Sequence, residues 1–206
     1  MKKIIYITIL LITALCAAQE TVKPLEDYLK GDDQNNDYYK DTNSTLNKFL
    51  GTWVYDNGPH YFKIIFYKIE HKNIYDLGFG TPTYNLYIDT IESKFLYQYN
   101  GVTVYDTYVN TNTYSKPWDS KIIAGSSIDN ITQLSLSYSE PTNAHRRQRK
   151  GVLKITYNSS GFPITETLTW NRVDSPMHKL LYRGPAGDLP DTTDFVIPEN
   201  MVLIKQ

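Results

Sequence analysis

The sequence predicts an all-β protein with a single antiparallel domain of about nine or ten short strands. Apolar and polar residues alternate along several segments, as they do in strands with one buried face. The dipeptide Asn100-Gly101 separates two such segments and is typical of tight β-hairpins. After residue 18, no stretch has the 3.6-residue periodicity of a long helix. A barrel or a sandwich of two sheets satisfies this pattern.

Residues 1–18 have the pattern of a secretory signal peptide. Two lysines precede a largely apolar run over residues 4–15, and small residues follow it. We predict cleavage after Ala18 and export to the periplasm, the cell surface or the exterior. The alternative is a lipoprotein anchored at Cys16, although the bulky Leu15 before it disfavours that pathway. The run is too short for a permanent span, which takes about 20 apolar residues, so we expect no transmembrane segment in the mature protein.

Residues 19–44 are polar and acidic, and such a composition cannot form a hydrophobic core. We predict a flexible tether there, followed by one globular domain over residues 45–206. Leu46 and Phe49 have helical spacing, and Gly51 suits the end of a short helical turn. The chain is then expected to enter its first strand at Thr52.

The strands are predicted from three kinds of segment. Residues 60–69 form a run rich in Ile, Phe and Tyr, which favours a strand buried on much of both faces. Residues 95–105 form the hairpin around Asn100-Gly101, because both residues tolerate the positive φ angles of a type I′ turn. Alternating segments lie at residues 84–89, 134–139, 153–157 and 162–170.

Composition and motifs exclude several function classes. The 206 residues carry 21 Lys+Arg and 22 Asp+Glu, and this balance argues against nucleic-acid binding. No catalytic, nucleotide-binding or metal-binding motif is present, so we predict no cofactor and no metal site. A hydrolase with two carboxylates leaves no motif and stays open. Glu166 interrupts an apolar strand face and is its candidate, although an ion pair with a nearby lysine also explains that position.

The two ends of the domain carry a family resemblance. It begins on Phe49-Leu50-Gly51-Thr52-Trp53 and ends, over residues 197–205, on the pattern I-P-x-x-x-x-L-x-K. These ends, and the rhythm of strands between them, resemble a family of small exported proteins of unknown function from flavobacteria-type bacteria. The resemblance implies a compact β domain and no catalytic residue.

The entry through a short helical turn and Gly-x-Trp also resembles the lipocalin-like barrels, which implies a single up-and-down antiparallel barrel. In that arrangement Trp53 would lie at the closed end of the barrel, beneath an arginine from near the last strand. Arg172 is the best candidate for this arginine, and Arg183 is the next. The alternative is that Trp53 is an ordinary large core residue. Both interpretations make Trp53 structural.

A basic segment is the largest charge asymmetry of the chain. Arg146, Arg147, Arg149 and Lys150 lie between two predicted strands, where a hairpin loop would expose them to solvent. They are interpreted either as a solubilising loop that protects neighbouring strands, or as a contact for an anionic envelope component such as lipopolysaccharide or phospholipid headgroups.

Three functions are compatible with this pattern. The first is a non-enzymatic binding module of the cell envelope, in which tyrosines hold a small apolar or glycan ligand. The second is a structural or protein-interaction domain with a filled barrel. The third is the carboxylate-pair hydrolase. An internal cavity would separate the first function from the second.

Overall fold

The computed structural model of the protein describes residues 20–28, 33–74, 85–108, 123–130, 132–141, 148–173, 182–184, 187–189 and 196–206. These residues form strands and two short 3₁₀ turns, so the all-β class is confirmed. The strands are β1 (Thr21–Pro24), β2 (Asp37–Lys40), β3 (Gly51–Asn57), β4 (His60–Asn73), β5 (Leu86–Tyr99), β6 (Val102–Asp106), β7 (Ile123–Asn130), β8 (Gln133–Pro141), β9 (Gln148–Ser160), β10 (Thr165–Val173), β11 (Tyr182–Gly184), β12 (Gly187–Leu189) and β13 (Asn200–Lys205). The turns are η1 (Leu25–Asp27) and η2 (Thr45–Phe49).

The chain divides into two compact units, and the first comprises residues 1–43 and 70–89. Within it β1 pairs with β2, and β2 pairs with the first residues of β5. Both pairings are parallel, with Asp37 opposite Thr21 on one side and Leu86 on the other. The prediction of a purely antiparallel sheet is therefore wrong, because short strands distant in sequence pair here without a hairpin.

The segment expected to be a tether, residues 19–44, contains β1, η1 and β2. Several of its polar residues bind one another. The buried carboxylate of Asp37 lies 2.7 Å from Lys23 Nζ and accepts a hydrogen bond from Gln34 N at 2.6 Å. Tyr39 OH donates to Asp33 at 2.6 Å. Hydrogen bonds and ion pairs within the segment thus allow a polar sequence to form strands. Composition alone does not reveal these pairings.

The second unit comprises residues 44–69 and 90–206. Its strands follow the order β5-β4-β3-β13-β10-β9-β8-β7, with β6 beside β5. The final strand β13 lies antiparallel between β3 and β10. One residue pair, Glu92 with Ile123, joins β5 to β7. The sheet is not closed, since a single pair is not a ladder, and the predicted barrel is not confirmed.

The β5–β6 hairpin confirms the strongest local prediction. Asn100 and Gly101 have φ angles of 50° and 76°, and Tyr99 pairs with Val102 across the turn. Both central residues therefore have the positive φ that a type I′ turn requires.

The interior of the second unit consists of large apolar side chains. Phe62 packs against Trp170 with ring centroids 5.1 Å apart and against Phe95 at 5.8 Å. Alternate residues of each strand point inward, as the two-residue period of a strand dictates. The interior side chains with 0% exposure include Leu46, Phe49, Trp53, Phe62, Ile64, Phe95, Tyr97, Leu134, Leu153, Ile155, Leu168, Trp170 and Leu203.

In the part of the chain that the structure describes, no helix has the length and apolar character needed to cross a membrane.

Candidate functional site

Two clusters of polar side chains stand out, one in each unit. The first surrounds Trp53, which the sequence singled out. Gly51 has a φ of 107°, a conformation that favours glycine, and it starts β3 directly after η2. Trp53 is fully buried, and its Nε1 donates to the carbonyl oxygen of Phe49 at 2.8 Å. The tryptophan thereby satisfies a carbonyl at the end of η2 and fixes the entry into β3.

A lysine covers the Trp53 ring. Lys205 lies opposite Trp53 in the β3–β13 register, and its Nζ lies 5.3 Å from the ring centroid, within the range of a cation–π contact. Arg172, the arginine predicted beneath Trp53, is buried, and its Nη1 donates to the Ile197 carbonyl oxygen at 2.7 Å. Its predicted position beneath the ring stays a prediction. The Arg183 side chain lies outside the described residues.

Glu166 completes this cluster, which we call the Trp53 cluster (Phe49, Trp53, Tyr157, Glu166 and Lys205). Lys205 Nζ lies 2.9 Å from Glu166 Oε2, and Tyr157 OH donates to Glu166 Oε1 at 2.6 Å. The Tyr157 ring meets Phe49 and Trp53 edge-on at 6.2 and 6.5 Å. The alternative explanation of Glu166, an ion pair with a lysine, is what the structure contains.

The same contacts set the protonation of the pair. The hydrogen bond from Tyr157 and then the one from Lys205 lower the pKa of Glu166, whereas donation to that carboxylate raises the pKa of Tyr157. A catalytic acid needs the opposite shift, a carboxyl pKa raised toward neutrality. Glu166 is therefore poorly suited to the acid role in a carboxylate-pair hydrolase.

Replacing Glu166 with glutamine is expected to lower stability at pH 7 by less than about 1 kcal/mol, because the ion pair is partly exposed. A carboxyl whose folded pKa is lowered stabilises above its ordinary value of 4.5, and this contribution disappears as the pH falls below it. The urea midpoints of wild type and variant should therefore converge between pH 6 and pH 3. The exposed Glu199→Gln is the control. A wild-type advantage that grows in acid would contradict the assigned sign.

The second cluster lies in the first unit and centres on Asp89, a residue of β5 with 0% exposure. Its carboxylate accepts three hydrogen bonds, from Tyr38 OH at 2.5 Å, from Asp41 N at 3.0 Å and from His71 N at 3.1 Å. Burial, and then the bond to Asp89, raise the pKa of Tyr38 above its ordinary value of 10.0, so this phenol stays protonated.

His71 is the exposed part of this Asp89 cluster, which we define as Glu20, Tyr38, His71, Tyr87 and Asp89. Its backbone has a φ of 53°, and its amide is bound by Asp89. Its ring stacks on Tyr87 at 4.2 Å and meets Tyr38 edge-on at 4.6 Å. The Nε2 atom lies 2.5 Å from Glu20 Oε1. The sequence assigned this cluster no role, since Asp89 lies on the polar side of the alternating segment at residues 84–89.

The two central carboxylates of these clusters find their hydrogen bonds within the protein. Asp89 accepts from three donors, Glu166 binds Tyr157 and Lys205, and the Tyr38 phenol is held protonated. Among the described residues, no group of three or more His, Cys, Asp or Glu side chains is arranged to hold a metal ion.

The basic segment is only partly visible. Arg149 and Lys150 belong to β9, where their backbones pair with Glu140 and Ser139 of β8. Arg146 and Arg147 lie outside the described residues, so the anion contact stays a prediction.

Fold and clusters together define an all-β protein in which buried and half-buried charges hold the backbone in place. A family model described as a family of unknown function, DUF6705, matches residues 1–206, and the chain belongs to this family. No curated protein and no solved structure matches the chain. The expected membership in a family of unknown function is confirmed, while the flavobacteria-type origin and the likeness to lipocalins stay predictions.

Proposed function

We propose that the protein is a non-enzymatic interaction domain whose second unit is a curled, barrel-like sheet around a solid interior. The strand order β5-β4-β3-β13-β10-β9-β8-β7 supports this arrangement, because the pair Glu92–Ile123 brings β5 next to β7 although these two strands stand at opposite ends of that order.

One observation carries the functional part of the proposal: among the side chains that the structure describes, those facing the interior of the second unit have no accessible surface. A pocket that holds a small ligand has a volume of about 300–1,000 Å³, and the side chains that line it keep accessible surface. Trp170, Phe62, Phe95, Leu168 and Ile155 have none. This supports the filled-barrel hypothesis over the hypothesis of an apolar or glycan ligand held inside.

A domain with a solid interior can bind only through its surface. The signal-peptide pattern of residues 1–18 supports a place of action in the cell envelope or outside the cell. Those residues lie outside the described part of the chain, so export is part of the proposal.

Titration with apolar probes tests the solid interior. We expect the wild-type protein to give no saturable fluorescence change with N-phenyl-1-naphthylamine and no shift in melting temperature with palmitate. The positive control is Trp170→Ala, which removes one of the largest side chains of the interior. An apolar cavity of that kind binds small aromatic molecules, so indole should raise the melting temperature of this variant and not that of wild type.

One-to-one binding of naphthylamine to the wild type, with displacement by palmitate, would reject the filled interior and restore the internal-ligand hypothesis. A Trp170→Ala variant that ignores indole would show that this tryptophan does not fill the interior as described.

A further inference from the structure

The hairpin that joins β9 to β10 ends in an exposed apolar tip. Phe162 has 102% of its reference surface exposed and Ile164 has 72%, with Pro163 between them also exposed. Gly161 precedes them with a φ of 85°, a backbone conformation that favours glycine. These are the two most exposed large apolar side chains in the described residues. Exposed apolar residues grouped at one turn are typical of contact surfaces and add nothing to the packed interior.

The tip carries no charge. Residues 158–165 contain only neutral side chains, and those that flank the apolar tip are exposed asparagine, serine and threonine. The next charge along the chain, Glu166, lies 2.9 Å from Lys205 and is neutralised by it. Burying an unpaired charge is costly, because the charge loses its hydration. The tip has no such charge, so it can leave water without this cost.

The size of the tip indicates what covers it. A stable protein interface buries about 800 Å² on each partner, and two side chains at the end of one hairpin cannot supply that area. Binding to the outer layer of a lipid bilayer does not need that much buried area. Shallow insertion of a few apolar side chains, to a depth of about 5–10 Å, is enough for reversible binding. A projecting, neutral, aromatic and aliphatic tip fits this layer.

We infer that the Phe162–Ile164 tip, residues 162–164, inserts into the interfacial layer of a phospholipid bilayer and holds the protein reversibly at a membrane surface. The attraction is apolar, so it should act on neutral lipid and persist in high salt. It goes beyond the function proposed above, since the tip lies outside the packed interior and binds whether or not that interior is filled.

Flotation with vesicles tests the inference, using protein purified after export with its intact mass recorded. Wild type is expected to bind neutral phosphatidylcholine vesicles equally well in 0.1 M and 0.5 M NaCl. The double variant Phe162→Ser/Ile164→Ser should lose about tenfold or more in partition coefficient at an unchanged melting temperature. Phe162→Trp should retain binding, because tryptophan suits the bilayer interface. The matched control is Val202→Ser/Ile204→Ser, which removes two half-exposed apolar residues of β13 and should bind as wild type.

Four results would overturn the inference. Wild type and the tip variant could bind vesicles equally, or wild type could ignore neutral vesicles. Binding that requires anionic lipid and disappears in 0.5 M NaCl would assign the contact to basic residues such as Arg149 and Lys150. A tip variant that binds vesicles normally but no longer binds an envelope protein would assign the tip to a protein partner.

Discussion

Replacing Trp170 with alanine is expected to lower the free energy of unfolding by about 3–5 kcal/mol, the usual cost of truncating a large buried aromatic residue. Trp170 has 0% exposure, contacts the edge of Phe62 at 5.1 Å, and faces Ile155 and Met201 on the neighbouring strands. These neighbours sit on three different strands, so they cannot all collapse into the space that the indole leaves. Guanidinium unfolding followed by circular dichroism measures the change.

Two further variants make the Trp170 result specific. Trp170→Phe keeps most of the aromatic volume and should cost clearly less than alanine. Val202→Ala removes a half-exposed side chain from the adjacent strand β13 and should change stability by about 0.5 kcal/mol or less. An unfolding midpoint of Trp170→Ala equal to that of wild type would mean that the packed interior is assigned to the wrong side chains.

Local sequence patterns predicted the structure correctly where it depends on residues close together in the chain. The hairpin at Asn100-Gly101 was predicted from two residues, because the turn type depends only on their backbone angles. The turn before β3 was predicted from Phe49 and Gly51 for the same reason. Alternation identified the inward face of β10 at Leu168 and Trp170, which are fully buried. It was wrong for the start of the same segment, because Phe162 and Ile164 lie in the turn before β10 and are exposed.

The pairing of strands that lie far apart in the sequence could not be predicted from any local pattern. The strands β1 and β2 have four residues each and a polar composition, and they pair in parallel with residues far along the chain. Nothing within residues 19–44 indicates that Asp37 will meet Lys23 at 2.7 Å. The prediction of a tether followed from composition, which does not include hydrogen bonds formed only on folding.

The residues of the candidate sites also fall into those that a local pattern identifies and those that depend on strand pairing. Trp53 was identified because Gly-x-Trp after a helical turn is a short local pattern. The position of Lys205 over its ring depends instead on the pairing of β3 with β13, the first and last strands of the second unit. Asp89 was assigned to the polar face of an alternating segment. In the structure β5 is buried on both faces around it, since Ile88, Asp89 and Thr90 are all buried. Alternation cannot distinguish a wet face from one covered by another part of the chain.

The Asp89 cluster gives the second large expected effect. Asp89→Ala should lower the free energy of unfolding by about 3–5 kcal/mol, because it leaves the Tyr38 hydroxyl and two backbone amides without their acceptor, at about 1–3 kcal/mol for each buried donor. Asp89→Asn keeps one carbonyl oxygen and should cost less. The exposed Asp56→Ala is the control, with an expected change within about 0.5 kcal/mol. Urea unfolding at pH 7 compares the three, and an Asp89→Ala midpoint close to that of Asp56→Ala would refute the buried role.

The pH dependence of stability tests whether Tyr38 is held as a protonated phenol, because burial first and then the bond to Asp89 raise its pKa. A tyrosine whose folded pKa is raised stabilises fully below its ordinary value of 10.0, and this contribution disappears as the pH rises above that value. Wild type should therefore lose stability from about pH 10 upward, and Tyr38→Phe, which has no proton to lose there, should show a shallower slope. The slope should not vanish, because burial also raises the pKa of Tyr67, and that of Tyr108 to about 12. Equal alkaline slopes in wild type and Tyr38→Phe would mean that folding does not raise the pKa of Tyr38, which would contradict its burial beside Asp89.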